Sequence, residues 1–213
     1  MTELVAHRAN TPQRLDELVA GGAGWVELDA AAGPAGELAC AHDPGAAGAP
    51  LAAMLAAAAG AGLRVTVDLK CPPGLVARAC EAIVAAGLEG RALVCGHYER
   101  PWDEIRRMLP AALLGWSTPE PGRRERLLRR GPEQRELAAS APGLLESKGL
   151  DVLLAHRSLV SEPLVRALHA DGKLVHAWTV NRAGRARRLA RMGVDAMVTD
   201  RPREIAAGLA RSS

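Results

Sequence analysis

Short β-branched or apolar runs alternate with helix-like stretches along the whole of this 213-residue chain, and that alternation limits the fold more than any other feature. The strands it predicts are Leu4–Ala6, Trp25–Asp29, Leu63–Leu69, Ala92–Cys95, Ala112–Trp116, Asp151–Ala155, Leu174–Thr179 and Ala196–Thr199. Helices fill the intervals. Thr11-Pro12 offers a cap and a first turn, Pro50, Pro101 and Pro202 open further helices, and Pro73 precedes one that Gly87 closes. Gly62, Gly172 and Gly193 each fall where a helix should stop and the next strand begin. Strands alternating with helices make a parallel sheet. Eight such units of ~27 residues suit an α/β fold of the (β/α)8 TIM-barrel type, one compact domain over residues 1–213. The rival is an open doubly wound sheet, which normally carries a Gly-rich loop after its first strand. Here that place holds His7, Arg8, Ala9 and Asn10. Pro119–Leu150 is the least regular stretch. It is Arg-rich and helical in composition, and Gly131-Pro132 and Pro142-Gly143 break it, so a fifth helix plus a loop is expected, its arginines on a solvated face.

Composition narrows the class further. With 48% hydrophobic and 24% charged residues the chain is an ordinary globular one. Phe is absent and Tyr occurs once, so the core must be built from Ala, Val and Leu with four Trp. A net charge of +3 and a pI near 8.9 suit an anionic small molecule and are too weak to argue for nucleic acid. No apolar run approaches the ~20 residues of a membrane span, so stable membrane insertion is not expected. The opening MTELVAHRAN does not read as a signal peptide. Cys40, Cys71, Cys80 and Cys95 form no CxxC and no metal-like cluster, which suits reduced core residues of a cytoplasmic protein. Lysine is scarce: only Lys70, Lys148 and Lys173 stand against 24 Arg, so composition does not account for any one of them.

In a barrel of this kind chemistry gathers at the C-terminal ends of the strands. His7, Arg8, Glu27, Asp29, Asp68, Lys70, His97, Trp116, His156, Trp178 and Asp200 are expected there. Strand side chains alternate faces, so Glu27 and Asp29 point the same way into the barrel mouth, as do Asp68 and Lys70 on the neighbouring strand. Ionised groups facing inward are costly unless something compensates them. A hard divalent cation held by the three carboxylates would do so. So would a structural ion-pair network of Glu27, Asp29, Arg8 and Lys70. His42 follows a turn over Gly33–Gly36 and a returning segment, Glu37–Ala41, that brings it back to the mouth. Two histidines flanking carboxylates suit a general acid and a general base acting on a phosphate or acyl group. A GxSxG elbow and a Gly-rich phosphate loop are both lacking, which argues against serine catalysis and nucleotide binding. His97, His156 and His176 are expected to be structural, and Cys71 and Cys95 to be packing residues.

The segments HRANT, VELD, AHD, VTVDLK, AWTVN and GVDAMVTDRP, in that order, resemble the glycerophosphodiester phosphodiesterase family. The resemblance spans nearly the whole chain. It implies a (β/α)8 barrel and a phosphoric diester hydrolase that depends on a divalent metal, Mg²⁺ or Ca²⁺. Carried over residue by residue, it implies metal ligands at Glu27, Asp29 and Asp68 and an acid–base pair at His7 and His42. It further implies phosphate contacts from Arg8 and Lys70, and an aromatic pocket wall at Trp178. The chain departs from the family in three places. Ala9 stands where the family has a Glu, Asp68 replaces the usual third Glu, and only 25 residues separate His42 from Asp68, where the family inserts a small helical cap. The Asp68-x-Lys70 pattern and the His7-x-x-Asn10 start look more like the sphingomyelinase D and phospholipase D toxin relatives of the same superfamily. The expected substrate is therefore a glycerophosphodiester, or a related lipid or polyol head-group phosphodiester such as a lysophospholipid. A lyase releasing a cyclic phosphate and a non-catalytic barrel that binds an anionic metabolite are the alternatives.

Overall fold

The computed structural model describes residues 2–121 and 130–211. In chain order the elements are β1 (Glu3–Ala6), α1 (Pro12–Ala20), β2 (Trp25–Ala32), β3 (Leu38–Cys40), β4 (Ala49–Pro50), α2 (Leu51–Gly60), β5 (Arg64–Leu69), α3 (Val76–Ala85), β6 (Ala92–Gly96), α4 (Trp102–Met108), β7 (Leu113–Ser117), α5 (Arg130–Ser147), β8 (Val152–His156), α6 (Glu162–Ala170), β9 (Leu174–Trp178), α7 (Ala183–Arg191), β10 (Ala196–Thr199) and α8 (Pro202–Ala210). The strand order is β1-β10-β9-β8-β7-β6-β5-β2, and β1 also pairs with β2, so the run closes on itself as a (β/α)8 barrel. Strands β3 and β4 extend the sheet beyond β2 as antiparallel neighbours. Among the described residues no helix is long and apolar enough to cross a membrane.

The chain divides into two compact units, Val5–Leu114 and Met1–Leu4 with Gly115–Ser213. In the first, β2 is buried on both faces from Trp25 to Ala31, as a parallel strand covered by helices must be. Leu28 on β2, Val65 and Val67 on β5 and Leu51, Met54 and Leu55 on α2 are almost inaccessible. Each such side chain contributes roughly 1.5–3 kcal/mol of burial, which is how an Ala-rich chain without Phe still builds a core. The Thr11 hydroxyl accepts from the Arg14 N–H (3.2 Å), capping α1 as its sequence predicts. In the second unit β8, β9 and β10 run parallel. Helices α7 and α8 pack so closely that a Cβ on Gly208 would lie 2.6 Å from that of Ala183. Gly62, Gly172 and Gly193 all take left-handed backbone (φ 73°, 68° and 84°) just past their helices, where the sequence places the stops.

Three expectations need correction. Strand β2 runs to Ala32 rather than ending at Asp29, because Ala30–Ala32 pair with β3. The segment from Pro73 begins as a 3₁₀ turn, Pro73–Leu75, before α3. Helix α5 passes unbroken through Pro132 and Pro142. Pro132 sits in the first turn, where an N–H has no intrahelical partner anyway. Pro142 forgoes its bond to Ala138, and the burial of Ala141 and Leu145 on either side offsets that loss. The expectation for residues 122–129 of this Arg-rich stretch lies outside the described residues.

Candidate active site

Adjacent parallel strands bring the three carboxylates together. Register pairs Asp29 on β2 with Asp68 on β5, and Glu27 lies two residues before Asp29 on the same face. Each of the three offers an oxygen, and these oxygens lie within 4.8 Å of one another. Glu27 and Asp29 are buried, at 4% and 1% exposure. Burial pushes the Glu27 carboxyl well above its ordinary range, helped by Asp29 and Asp68 and opposed by the Arg8 N–H and Lys70. An all-oxygen set of three crowded acids, two of them buried, fits a hard divalent cation.

Four cationic or titratable side chains surround this set. The Lys70 Nζ donates to Asp68 Oδ2 at 2.7 Å and lies 3.2 Å from Asp29 Oδ1. Burial works against its charge, but Asp68, then Asp29 and Glu27, hold the ammonium above its usual range. Arg8 takes left-handed backbone (φ 54°), uncommon for a side chain-bearing residue. The turn aims its N–H at Glu27 Oε2 (2.7 Å), and its Nε lies 3.9 Å from Asp29 Oδ2. His7 Nε2 stands 3.9 Å from Glu27 Oε2, and His42 Nδ1 stands 3.5 Å from Asp29 Oδ1. His42 arrives by the β3 return, and the Ala41 N–H beside it donates to the Asp29 carbonyl at 3.2 Å. Between His42 and β5 lie only the short β4 and helix α2.

Asn10 was not among the candidate site residues, yet it holds Asp29 at two points. Its Nδ2 donates to Asp29 Oδ2 (2.7 Å), and its Oδ1 accepts the Asp29 backbone N–H (2.9 Å). The available signal was its place three residues after His7. Ala9 is fully buried, and its N–H donates to the Glu27 carbonyl at 2.8 Å. All seven polar candidates, His7, Arg8, Glu27, Asp29, His42, Asp68 and Lys70, thus lie in the first unit. Trp178 belongs to the second. It ends β9 and donates its indole N–H to the Leu154 carbonyl (3.0 Å), and the buried His156 ring meets it edge-on at 5.2 Å. His156 also bonds Ser158 Oγ (2.7 Å) and Arg157 Nη1 (3.0 Å), and His176 is buried, in keeping with structural roles for both. His97 is exposed just past β6. The four cysteines are buried and unpaired. Burial, reinforced by Asp29 and Glu27, pushes the Cys40 thiol up to about 12.

Comparison with known proteins finds similarity in both sequence and fold. The sequence model of the Glycerophosphoryl diester phosphodiesterase family matches residues 126–204. A 66-residue stretch is 39% identical to Glycerophosphodiester phosphodiesterase GDPD4 of Arabidopsis thaliana, covering 31% of this chain and 20% of that relative's length. Both matches are to the glycerophosphodiester phosphodiesterase family, and each covers only part of this chain. The fold agrees. A glycerophosphodiester phosphodiesterase from Parabacteroides distasonis superposes with a TM-score of 0.77 at 19% identity, over 100% of this chain and 98% of that one. A phosphodiesterase from Oleispira antarctica, solved with the product sn-glycerol-3-phosphate, superposes with a TM-score of 0.75 at 18% identity, over 99% and 97% of the two chains. The family match falls on β8, β9 and β10, whereas the carboxylate cluster lies on β2 and β5.

Proposed function

We propose that this chain is a member of the glycerophosphodiester phosphodiesterase family that hydrolyses glycerophosphodiesters, or related polyol and lipid head-group phosphodiesters, with a bound divalent cation, Mg²⁺ or Ca²⁺. The observation that carries the proposal is the buried strand-end cluster of Glu27, Asp29 and Asp68, ringed by Lys70, Arg8, His7 and His42. Lys70 and Arg8 are two fixed cations beside three crowded carboxylates, an excess of acid that a bound dication would offset. The Oleispira antarctica relative's product, sn-glycerol-3-phosphate, supports the substrate class.

Glu27, Asp29 and Asp68 would hold the ion, which would supply positive charge against that building on phosphate. Arg8 and Lys70 supply fixed positive charge to the non-bridging phosphate oxygens. One of His7 and His42 takes the proton of the attacking hydroxyl. As the new P–O bond forms, the bond to the alcohol breaks, and the other His protonates the departing oxygen. The attacking group is water or the substrate's own neighbouring hydroxyl. Trp178 is assigned to the substrate pocket on the family resemblance. One barrel domain over the whole chain, acting in the cytoplasm on a small-molecule substrate, completes the proposal. The test is a phosphodiester panel followed by ³¹P NMR, with and without chelator. A monoester product that disappears with chelator and in Glu27→Gln supports it. A cyclic phosphate as end product points instead to a lyase, and absence of any turnover points to an anion-binding barrel.

A further inference from the structure

We propose that Arg100 is a positioning residue for Lys70, an inference that rests on reading Lys70 as a phosphate contact. The last residues paired between β5 and β6 are Leu69 and Gly96. Beyond Gly96 the chain turns away, with the Arg100 N–H on the His97 carbonyl (3.3 Å) and the buried Trp102 indole on the Tyr98 carbonyl (2.9 Å). The Arg100 side chain then reaches back to the end of β5. Its Nη1 donates to the Cys71 carbonyl (2.6 Å) and its Nη2 to the Leu69 carbonyl. These are the carbonyls of the residues on either side of Lys70. The Lys70 N–H is meanwhile bonded to the Ala30 carbonyl on β2 (2.8 Å). The backbone is therefore held on both edges where it presents the ammonium to Asp68 and Asp29.

Room for this brace depends on Gly96. A Cβ there would lie 3.2 Å from Arg100 Nε and 3.4 Å from both Arg100 Cγ and the Leu69 oxygen. Among the described residues the guanidinium meets no carboxylate at ion-pair distance, so its bonds serve the strand end. A planar fork spans two carbonyls, whereas an ammonium on a flexible stem does not hold both in a fixed geometry. A displacement of about 1 Å at a reacting group can cost about 100-fold in rate, so such a brace matters well beyond its own stability.

The test is calorimetric titration of inorganic phosphate into the cation-saturated protein, for the unmodified chain, Arg100→Lys, Lys70→Met and the double variant. Arg100→Lys and Lys70→Met should each weaken phosphate binding by about tenfold or more, as expected for losing a charged hydrogen bond. The double variant should be no weaker than Lys70→Met alone, because Arg100 acts through Lys70. Divalent-cation affinity, measured separately, should stay within about twofold in Arg100→Lys. Gly96→Ala keeps the guanidinium but crowds it, and should give an intermediate loss; it carries the same test if Arg100→Lys does not fold. Additive losses, or unchanged phosphate affinity in Arg100→Lys and Gly96→Ala, would overturn the inference alone. An unmodified protein that binds no phosphate would overturn the reading of the site and this inference with it.

Discussion

Truncating Asn10 should loosen the centre of the site and destabilise the fold by a calculable amount. Its side chain donates to the Asp29 carboxylate at 2.7 Å and accepts the Asp29 N–H at 2.9 Å. A hydrogen bond to a charged group is worth about 1.5–3 kcal/mol and a neutral one about 0.5–1.5 kcal/mol. Asp29 is only 1% exposed, so Asn10→Ala leaves an N–H and one carboxylate oxygen short of partners in a buried setting. Asn10 itself is part-buried, and water entering the vacated space recovers some of the loss. The net cost should be about 2–4 kcal/mol. For a chain of this length each kcal/mol moves the melting temperature by about 2–4 °C, so a fall of about 4–16 °C is expected. Circular dichroism melts in excess chelator measure it without metal binding intervening. Asn10→Asp adds a carboxylate against Asp29. It should melt lower still in chelator and recover most of its deficit when a divalent cation is added. A shift below about 2 °C for Asn10→Ala would refute the argument that Asn10 holds Asp29 in place.

A divalent cation at about 100 times its dissociation constant should raise the stability of the unmodified protein by about 2.7 kcal/mol, and Glu27→Gln should abolish most of that gain in the same melts. Lys70→Arg should lower kcat/KM by about tenfold or more, since a guanidinium is too broad to lie 2.7 Å from Asp68 and 3.2 Å from Asp29 as the ammonium does; wild-type kinetics would mean that any cation suffices. Burial pushes the Cys80 thiol up to about 11 and Cys40 to about 12, so at pH 8 a thiol-specific disulfide reagent should titrate these two only after denaturation. The pH–rate profile should be bell-shaped, and truncating whichever of His7 and His42 is the acid should be partly rescued by a nitrophenolate leaving group, which needs no proton; equal losses on both substrates in both variants would refute the split of roles.

The fold was legible because its signals are local. Turn residues and apolar runs recur along one dimension, and Gly62, Gly172 and Gly193 repeat the same helix-stop punctuation. Thr11 caps α1 and Ser161 caps α6 through bonds to N–H groups three residues on, a distance that sequence spacing measures directly. The errors came where a local signal was overruled by tertiary contacts. Pro142 breaks a helix in isolation, but α5 keeps its course because Ala141 and Leu145 are fully buried. Strand β2 outran its expected end because its last three residues found an antiparallel partner in β3, a pairing no short window contains.

The site shows the same division. The alternation of strand side chains was enough to put Glu27 with Asp29 and Asp68 with Lys70, and the regular strand succession was enough to make β2 and β5 neighbours. What the sequence did not reveal is which loop residues brace these groups, since Asn10 and Arg100 act through hydrogen bonds that depend on where a turn directs a side chain. The family similarity bears on a different part of the chain. Its sequence match covers residues 126–204, while every group in the carboxylate cluster lies between residues 7 and 70. Similarity in one part of the chain therefore does not presuppose the charge arrangement in the other. What favours a cation at Glu27, Asp29 and Asp68 over a buried ion-pair network is that three carboxylate oxygens crowd within 4.8 Å of one another with two of the residues buried.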